Sequence, residues 1–254
     1  MLFRSKFSII TVTYNAGQVL EDTIQSVISQ TYRHVEYIIV DGASKDNTQT
    51  IINKYRERIH KVVSEPDKGL YDAMNKGISL ATGDYLCFLN AGDSFHEDDT
   101  LQQMVHSISG NELPDVLYGE TAIVDKNGHF LRMRRLSAPN VLTWKSFKQG
   151  MLVCHQAFFA KHTLIEPYDL NYRFSADFDW CIRIMKKART LHNTHHHREF
   201  PITVIPDEIR PAVVGGLAPV FPVRRIDVAV IFKQIFARNG GIQGLIRKFL
   251  GKDR

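Results

Sequence analysis

A chain of 254 residues with 44% hydrophobic content carries enough apolar surface for a full core, which excludes general disorder and calls for one α/β domain with a small appendage. Its longest strictly apolar run in the last third, residues 228–232, is far short of the ~20 residues that span a bilayer, so no membrane-crossing helix is expected there. The formal charge of +5 is concentrated: from Phe221 onward eight Lys or Arg face two acids, a net +6, leaving −1 on the first 220 residues, a body without the basic excess of a nucleic-acid binder.

At the amino end, Arg4 and Lys6 precede an apolar stretch that runs into Thr11, Thr13 and Asn15 without an A-x-A cleavage pattern, so 7–12 reads as a buried strand and not a signal peptide. The pattern then predicts a helix near 18–30, a strand at 35–40 and a helix near 48–55. A strand at 61–64, a helix near 70–80 and a strand at 85–89 follow. This alternation implies a mostly parallel sheet with crossover helices, and such sheets bind ligands beyond the carboxyl ends of their strands. Three polar clusters fall there and should line one crevice: Thr13-Tyr14-Asn15, Asp41-Gly42-Ala43-Ser44 and Asn90-Ala91-Gly92-Asp93.

The second half, 96–220, reads differently and is set apart from the first. Segments 115–124 and 129–135 flank Lys126-Asn127-Gly128, a hairpin turn signal. A helix at 176–188 puts Phe178, Ile182 and Met185 on one face. From 221 to 254, apolar residues recur at helical spacing (Val228, Ile231, Phe232, Ile235, Phe236, then Ile242, Leu245, Ile246, Phe249, Leu250) with basic residues opposite. That basic amphipathic tail is expected to dock on anionic lipid, with packing against the domain's own core as the alternative. Cys87, Cys154 and Cys181 are odd in number, apolar in surroundings and without metal-ligand spacing, as reduced cytosolic thiols would be.

There is no G-x-G-x-x-G after the first strand and no G-x-x-x-x-G-K-[ST] anywhere, which removes the main support for dehydrogenase and P-loop readings. Asp41 instead ends an apolar strand before a Gly-Ala-Ser turn, where a carboxylate accepts from a base N–H or a ribose hydroxyl, or caps its turn. Asp46 reads as an ordinary helix cap, and Asp98 and Asp99 as helix-start residues. His155 and Gln156 are either a satisfied core pair or contacts to the donor's phosphates or sugar. His192 and His195 to His197 lack acidic or Cys company and read as solvated. Trp144 and Trp180 read equally well as core or acceptor-wall aromatics.

The order of these segments resembles that of family 2 glycosyltransferases. The matching stretches are Ser8-Ile-Ile-Thr-Val-Thr-Tyr-Asn15, Ile38-Ile-Val-Asp-Gly-Ala-Ser-Lys-Asp-Asn-Thr48, Ser64-Glu-Pro-Asp-Lys-Gly-Leu-Tyr-Asp-Ala-Met-Asn-Lys-Gly77 and Ala81-Thr-Gly-Asp-Tyr-Leu-Cys-Phe-Leu-Asn-Ala-Gly-Asp93. In detail they are similar to the branch related to colanic acid transferases. Past residue 93 the likeness thins to Cys154-His-Gln-Ala-Phe-Phe159, Ser175-Ala-Asp-Phe-Asp-Trp180 and Gly215-Gly216.

The resemblance implies a GT-A fold, Rossmann-like, with 1–95 as the nucleotide-sugar half and 96–220 as the acceptor side. It implies that Thr13, Tyr14, Asn15 and Asp41 hold the nucleoside, with Asp41 facing the base, and that Lys68, Asn75, Asn90, His155 and Gln156 complete the donor site. Asp93 would hold a divalent cation, Mg or Mn, on the diphosphate. Asn90 and Gly92 stand where the commoner pattern has carboxylates, leaving one anionic ligand. Met74 replaces the usual arginine, leaving Lys68 or Lys76 for the phosphates. By motif order Asp177 is the base, with Asp179 as its alternative; both lie at a helix start, where the dipole tolerates negative charge.

The implied activity is inverting transfer of a hexosyl or N-acetylhexosaminyl group from a nucleotide sugar, UDP before GDP, to a lipid-linked or growing surface glycan. Its expected place is the cytoplasm, peripherally on the inner face of the cell membrane. Two alternatives remain: a sugar-nucleotide-binding protein without turnover, motivated by Asn90 and Gly92, and a membrane-docked scaffold whose function is the tail.

Overall fold

The computed structural model describes residues 5–108, 113–172, 174–194 and 201–207. The chain begins β1 (Phe7–Thr13), α1 (Leu20–Ile28), β2 (Val35–Asp41), α2 (Thr48–Lys54), β3 (Lys61–Ser64), α3 (Leu70–Leu80) and β4 (Tyr85–Phe88). It continues β5 (Ser94–Phe95), α4 (Thr100–Ser107), β6 (Val116–Tyr118), β7 (Thr121–Val124) and β8 (Phe130–Met133). Then come β9 (Phe158–Lys161), α5 (Ala176–Lys187), β10 (Leu191–Asn193) and β11 (Thr203–Pro206). All described residues fall in the compact unit Met1–Ala218; the second unit, Pro219–Arg254, and with it the basic tail, lies outside them.

Seven strands form the main sheet in the order β10-β6-β9-β4-β1-β2-β3. Neighbours pair in parallel except β9, which runs antiparallel to both β4 and β6. Every residue of β1 is buried, as expected of a strand covered on both faces, and its run of β-branched residues suits that place. The amphipathic α1 turns Leu20, Ile24 and Val27 inward, and α3 buries Ala73, Met74 and Gly77. The register sets Thr13 opposite Asp41, and Asp41 opposite Ser64, so three polar side chains stand level at the carboxyl ends of β1, β2 and β3.

The second half departs from the expected single strand over 115–124. That run breaks at Gly119-Glu120 and its parts join different sheets: β6 the main one, β7 a smaller sheet of order β5-β11-β7-β8. A side chain at 119 would meet Ile202 Cδ1 at 2.4 Å, so glycine is what lets the chain pass there. The predicted hairpin forms as β7 and β8, with Gly128 at φ 82° in its turn. Trp180 belongs to the core: it is fully buried and stacks on Tyr168, with ring centroids 5.1 Å apart. Trp144 is half-buried, with the Lys186 ammonium 5.5 Å from its ring.

Candidate functional site

The loop after β1 closes on the loop after β2, and the turn after β4 meets His155 and, through it, the start of α5. Asn15, Ala43 and Ser175 are the non-glycine residues with positive φ (49°, 61° and 62°) among those described: the first two lie in the loops after β1 and β2, the third at the head of α5. A left-handed alanine costs roughly 1–2 kcal/mol, a strain proteins keep where geometry serves a site.

On the β2 side, Asp41 is 0% exposed and organises its loop. Its carboxylate accepts from Ser44 N and Oγ, from Gln49 Nε2 at 2.6 Å and from Ser64 Oγ at 2.6 Å. Asn15 locks the two loops together: its N–H donates to Ser44 Oγ and its Oδ1 accepts from Lys45 N, both at 2.8 Å. Asp46 accepts from Thr48 N and Gly17 N, which is the capping post expected of it. Asp67, unassigned from the sequence, sits in the same motif as Lys68 and Asn75. A Cβ built on Gly42 would lie 2.5 Å from Asp67 Oδ2 and 3.1 Å from the Tyr14 ring, so the carboxylate and the ring close on the same bare backbone.

Two donor-side expectations meet other partners. The Asn75 amide closes on the backbone of Tyr168, donating to its carbonyl at 3.0 Å and accepting from its N–H at 2.7 Å, so it ties α3 to the second half of the chain. Lys76 is held by Glu65 at 2.9 Å and Pro66 O at 2.8 Å. Lys68 is exposed at the head of α3, its N–H donating to Asp72 Oδ2.

Around β4 the turn 90–93 closes through Asp93 N donating to Asn90 O at 2.9 Å, with Gly92 at φ 98°. Asp93 is 7% exposed and accepts from Gln156 Nε2 at 2.8 Å. Burial pushes its carboxyl up to about 6, against the opposing hydrogen bond from Gln156. A tight 3-10 turn, His155–Ala157, delivers neighbouring side chains to different posts. While Gln156 reaches Asp93, His155 Nε2 lies 3.3 Å from Asn90 Nδ2 and His155 Nδ1 3.4 Å from Asp177 Oδ2.

Asp177 Oδ1 also accepts from the Tyr71 hydroxyl at 3.0 Å. Burial raises the Asp177 carboxyl, but His155 and Tyr71 outweigh it and hold the group below its ordinary value. The same carboxylate and burial push the Tyr71 phenol up. Sequence reading did not single out Tyr71; its only signal was membership of the third motif. Asp179 is turned away, 3% exposed and paired with Arg183 Nε at 2.7 Å.

Three described side-chain atoms are buried without a hydrogen-bond partner: Thr13 Oγ1 at the end of β1, Asn90 Oδ1 beside His155, and Tyr168 Oη in the aromatic stack with Tyr71 and Trp180. Buried polar atoms are seldom left so, and Asn90 Oδ1, in the turn after β4, is placed to take a donor from a bound ligand. The three cysteines are buried and free, and burial raises each thiol, Cys154 to about 11. His192 lies on β10 with Nε2 3.0 Å from Ser107 Oγ; His195 to His197 lie outside the described residues.

The profile of Glycosyl transferase family 2 matches residues 8–166. A PGL/p-HBAD biosynthesis glycosyltransferase of Mycobacterium bovis is 37% identical over 183 residues, 70% of this chain and 68% of that one. Among solved structures, S. aureus TarS 1-349 in complex with UDP-GlcNAc superposes with a TM-score of 0.67 at 18% identity, covering 91% of this chain and 66% of that chain. The mannosyltransferase PcManGT of Pyrobaculum calidifontis, in complex with GDP-Man and Mn2+, gives 0.57 at 16% identity, covering 93% of this chain and 64% of that chain. This chain thus spans just under two thirds of either solved chain, and at such identities they speak for the fold alone. With the family match over more than half its length and a mainly parallel sheet flanked by helices, the chain belongs to glycosyl transferase family 2 and is a glycosyltransferase of the GT-A fold.

Proposed function

We propose that the chain transfers a hexosyl or N-acetylhexosaminyl group, with inversion, from a nucleotide sugar to a lipid-linked or growing surface glycan. The observation that carries this is the convergence on one crevice of Asp93, Asn90, His155 and Asp177, with the orphaned Asn90 Oδ1 among them. In this reading Asp177 takes the proton of the acceptor hydroxyl as its oxygen bonds the anomeric carbon, and the diphosphate leaves from the opposite face with the electrons of the broken bond. Thr13, Tyr14, Asn15 and the loop shaped by Asp41 hold the nucleoside, with Asp67 beside them.

A divalent cation, Mg or Mn, suits the hard oxygens present: Asp93 would hold it, and it would neutralise the departing diphosphate. Among the described residues no group of three or more His, Cys, Asp or Glu is arranged for a metal, so phosphate and water oxygens would complete its shell. The complexes of TarS with UDP-GlcNAc and of PcManGT with GDP-Man and Mn2+ support a donor of this class. UDP is the nucleotide we favour.

Calorimetric titration with UDP and GDP, with and without Mn2+, tests the donor site. Metal-dependent micromolar binding of one nucleotide, weakened by Asp41→Ala and by Asp93→Ala, supports the reading; absence of binding by either removes it. Loss of transfer in Asp177→Asn with nucleotide binding retained separates a transferase from a silent binding protein. The basic apolar pattern of 221–254 supports docking to the cytoplasmic face of the membrane. Truncation after Pro222 should weaken cosedimentation with anionic vesicles, and unchanged cosedimentation would remove that part of the reading.

A further inference from the structure

His155 stands between two groups that make opposite demands on its ring. A carboxylate accepts hydrogen bonds only, so Asp177 requires a proton on His155 Nδ1, 3.4 Å away. A neutral imidazole carries one proton, which leaves Nε2 an acceptor. The group facing Nε2 must then be a donor, and the atom found there is Asn90 Nδ2 at 3.3 Å. Once the amide nitrogen is turned to the ring, Asn90 Oδ1 faces elsewhere, and it is one of the buried acceptors with no partner. The opposite tautomer would set the Asp177 carboxylate against a lone pair and require the Asn90 amide to be reversed.

We propose that His155 is a positioning residue whose Nδ1–H tautomer, fixed by Asp177, orients the Asn90 amide and leaves its carbonyl oxygen as an acceptor for a hydroxyl of the transferred sugar. The last part rests on the transferase reading. There the sugar must lie between the diphosphate on the Asp93 side and the acceptor hydroxyl at Asp177, and Asn90 is tied to both: to Asp93 by the closed turn, to Asp177 by the imidazole. Asn90 stands where the commoner family pattern has a carboxylate. An acid there would offer Nε2 acceptors only, whereas the amide offers it a donor. Tyr71 holds the other oxygen of Asp177 at 3.0 Å, which fixes the plane against which the imidazole lines up.

The tautomer is read directly from imidazole nitrogen shifts of the full chain labelled with 15N-histidine, the His155 signals being those lost in His155→Gln. At neutral pH, without ligand, wild-type His155 should show a protonated Nδ1 and a bare Nε2, the rarer form for a free histidine. Asp177→Ala should return it to the Nε2–H form, and Asn90→Ala should leave it as Nδ1–H. The other histidine signals, unchanged, show that each variant is folded. A wild-type Nε2–H ring, or a ring indifferent to Asp177→Ala, overturns the relay, and because no donor or turnover is needed, it does so whether or not the transferase reading stands. For the sugar contact the probes are UDP-N-acetylglucosamine and GDP-mannose against UDP and GDP. Asn90→Ala should weaken the nucleotide sugar about tenfold, the loss of one hydrogen bond, and leave the bare nucleotide unchanged; equal weakening of both, or of neither, removes that contact.

Discussion

On α5, Asp177 meets His155 and Tyr71 at the crevice, whereas Asp179 is tied to Arg183, which also reaches Glu166 at 3.0 Å. Two residues on a helix lie about 200° apart, so one carboxylate at the crevice implies the other elsewhere. That much was legible from spacing, and it is why both acids could be named and then ranked. Asp179→Asn is expected to lower the unfolding free energy by about 1–3 kcal/mol, since a buried charged hydrogen bond is broken, and to leave kcat within about threefold. Removing the phenol should act the other way round. Tyr71→Phe deletes one donor to the carboxylate proposed as the base, an effect of about 1.5–3 kcal/mol, and should reduce kcat roughly 10- to 100-fold with KM for the donor little changed. Steady-state kinetics beside urea unfolding separates the two; a Tyr71→Phe enzyme of full kcat would remove Asp177 from the role of base. Tyr71 was not legible because its partner lies 106 residues away, and no local pattern carries such a pairing.

At the scale of elements, α3 joins the two halves. Its Asn75 clamps Tyr168, its Tyr71 reaches Asp177 and its Gly77 lies on the sheet. A Cβ at 77 would come within 2.5 Å of Ile10 Cγ2 on β1 and 3.6 Å of Val40 Cγ2 on β2. Two effects compete in Gly77→Ala: alanine favours the helix by about 1 kcal/mol, while overpacking a filled core costs about 1–3 kcal/mol. The contact should win, with the urea midpoint falling and the slope m unchanged. A raised midpoint would show α3 to be loosely seated. The first seven elements were legible because strand and helix periods alternate cleanly up to 89. The break at Gly119-Glu120 was not, since an apolar run keeps its pattern when the chain leaves one sheet for another. Short β9 escaped for a related reason: four residues are too few for a period to declare itself.

The whole molecule separates its chemistry from its anchorage. Polar residues of the site stand at the carboxyl ends of the parallel strands; near the amino ends a lone glutamate ties the same strands together. Glu36, 3% exposed on β2, accepts from Ser8 Oγ of β1 at 2.6 Å and from Thr82 N and Oγ1, just before β4, at 2.7 and 2.8 Å. Lys61 of β3 and Lys6 add ammonium groups at 3.1 and 3.3 Å. Burial pushes this carboxyl up, but the hydrogen bonds from Ser8, Thr82 and Lys61 overcome it and hold it at about 2, against 4.5 unperturbed. The sequence hid this hub inside an apolar run, because its partners come from segments that only the fold assembles. A carboxyl whose folded pKa is depressed contributes stability that is fully present above the unfolded value and is lost as pH falls through the folded one. The window is therefore about pH 4.5 down to 2, and the amount on the order of 3 kcal/mol. Glu36→Gln should be less stable at neutral pH, and its urea-unfolding free energy should fall less steeply than that of the wild type across this window. Curves that run parallel would mean that other carboxylates govern acid unfolding. Because Glu36 has no contact with the crevice residues, the variant should keep wild-type kcat wherever it remains folded.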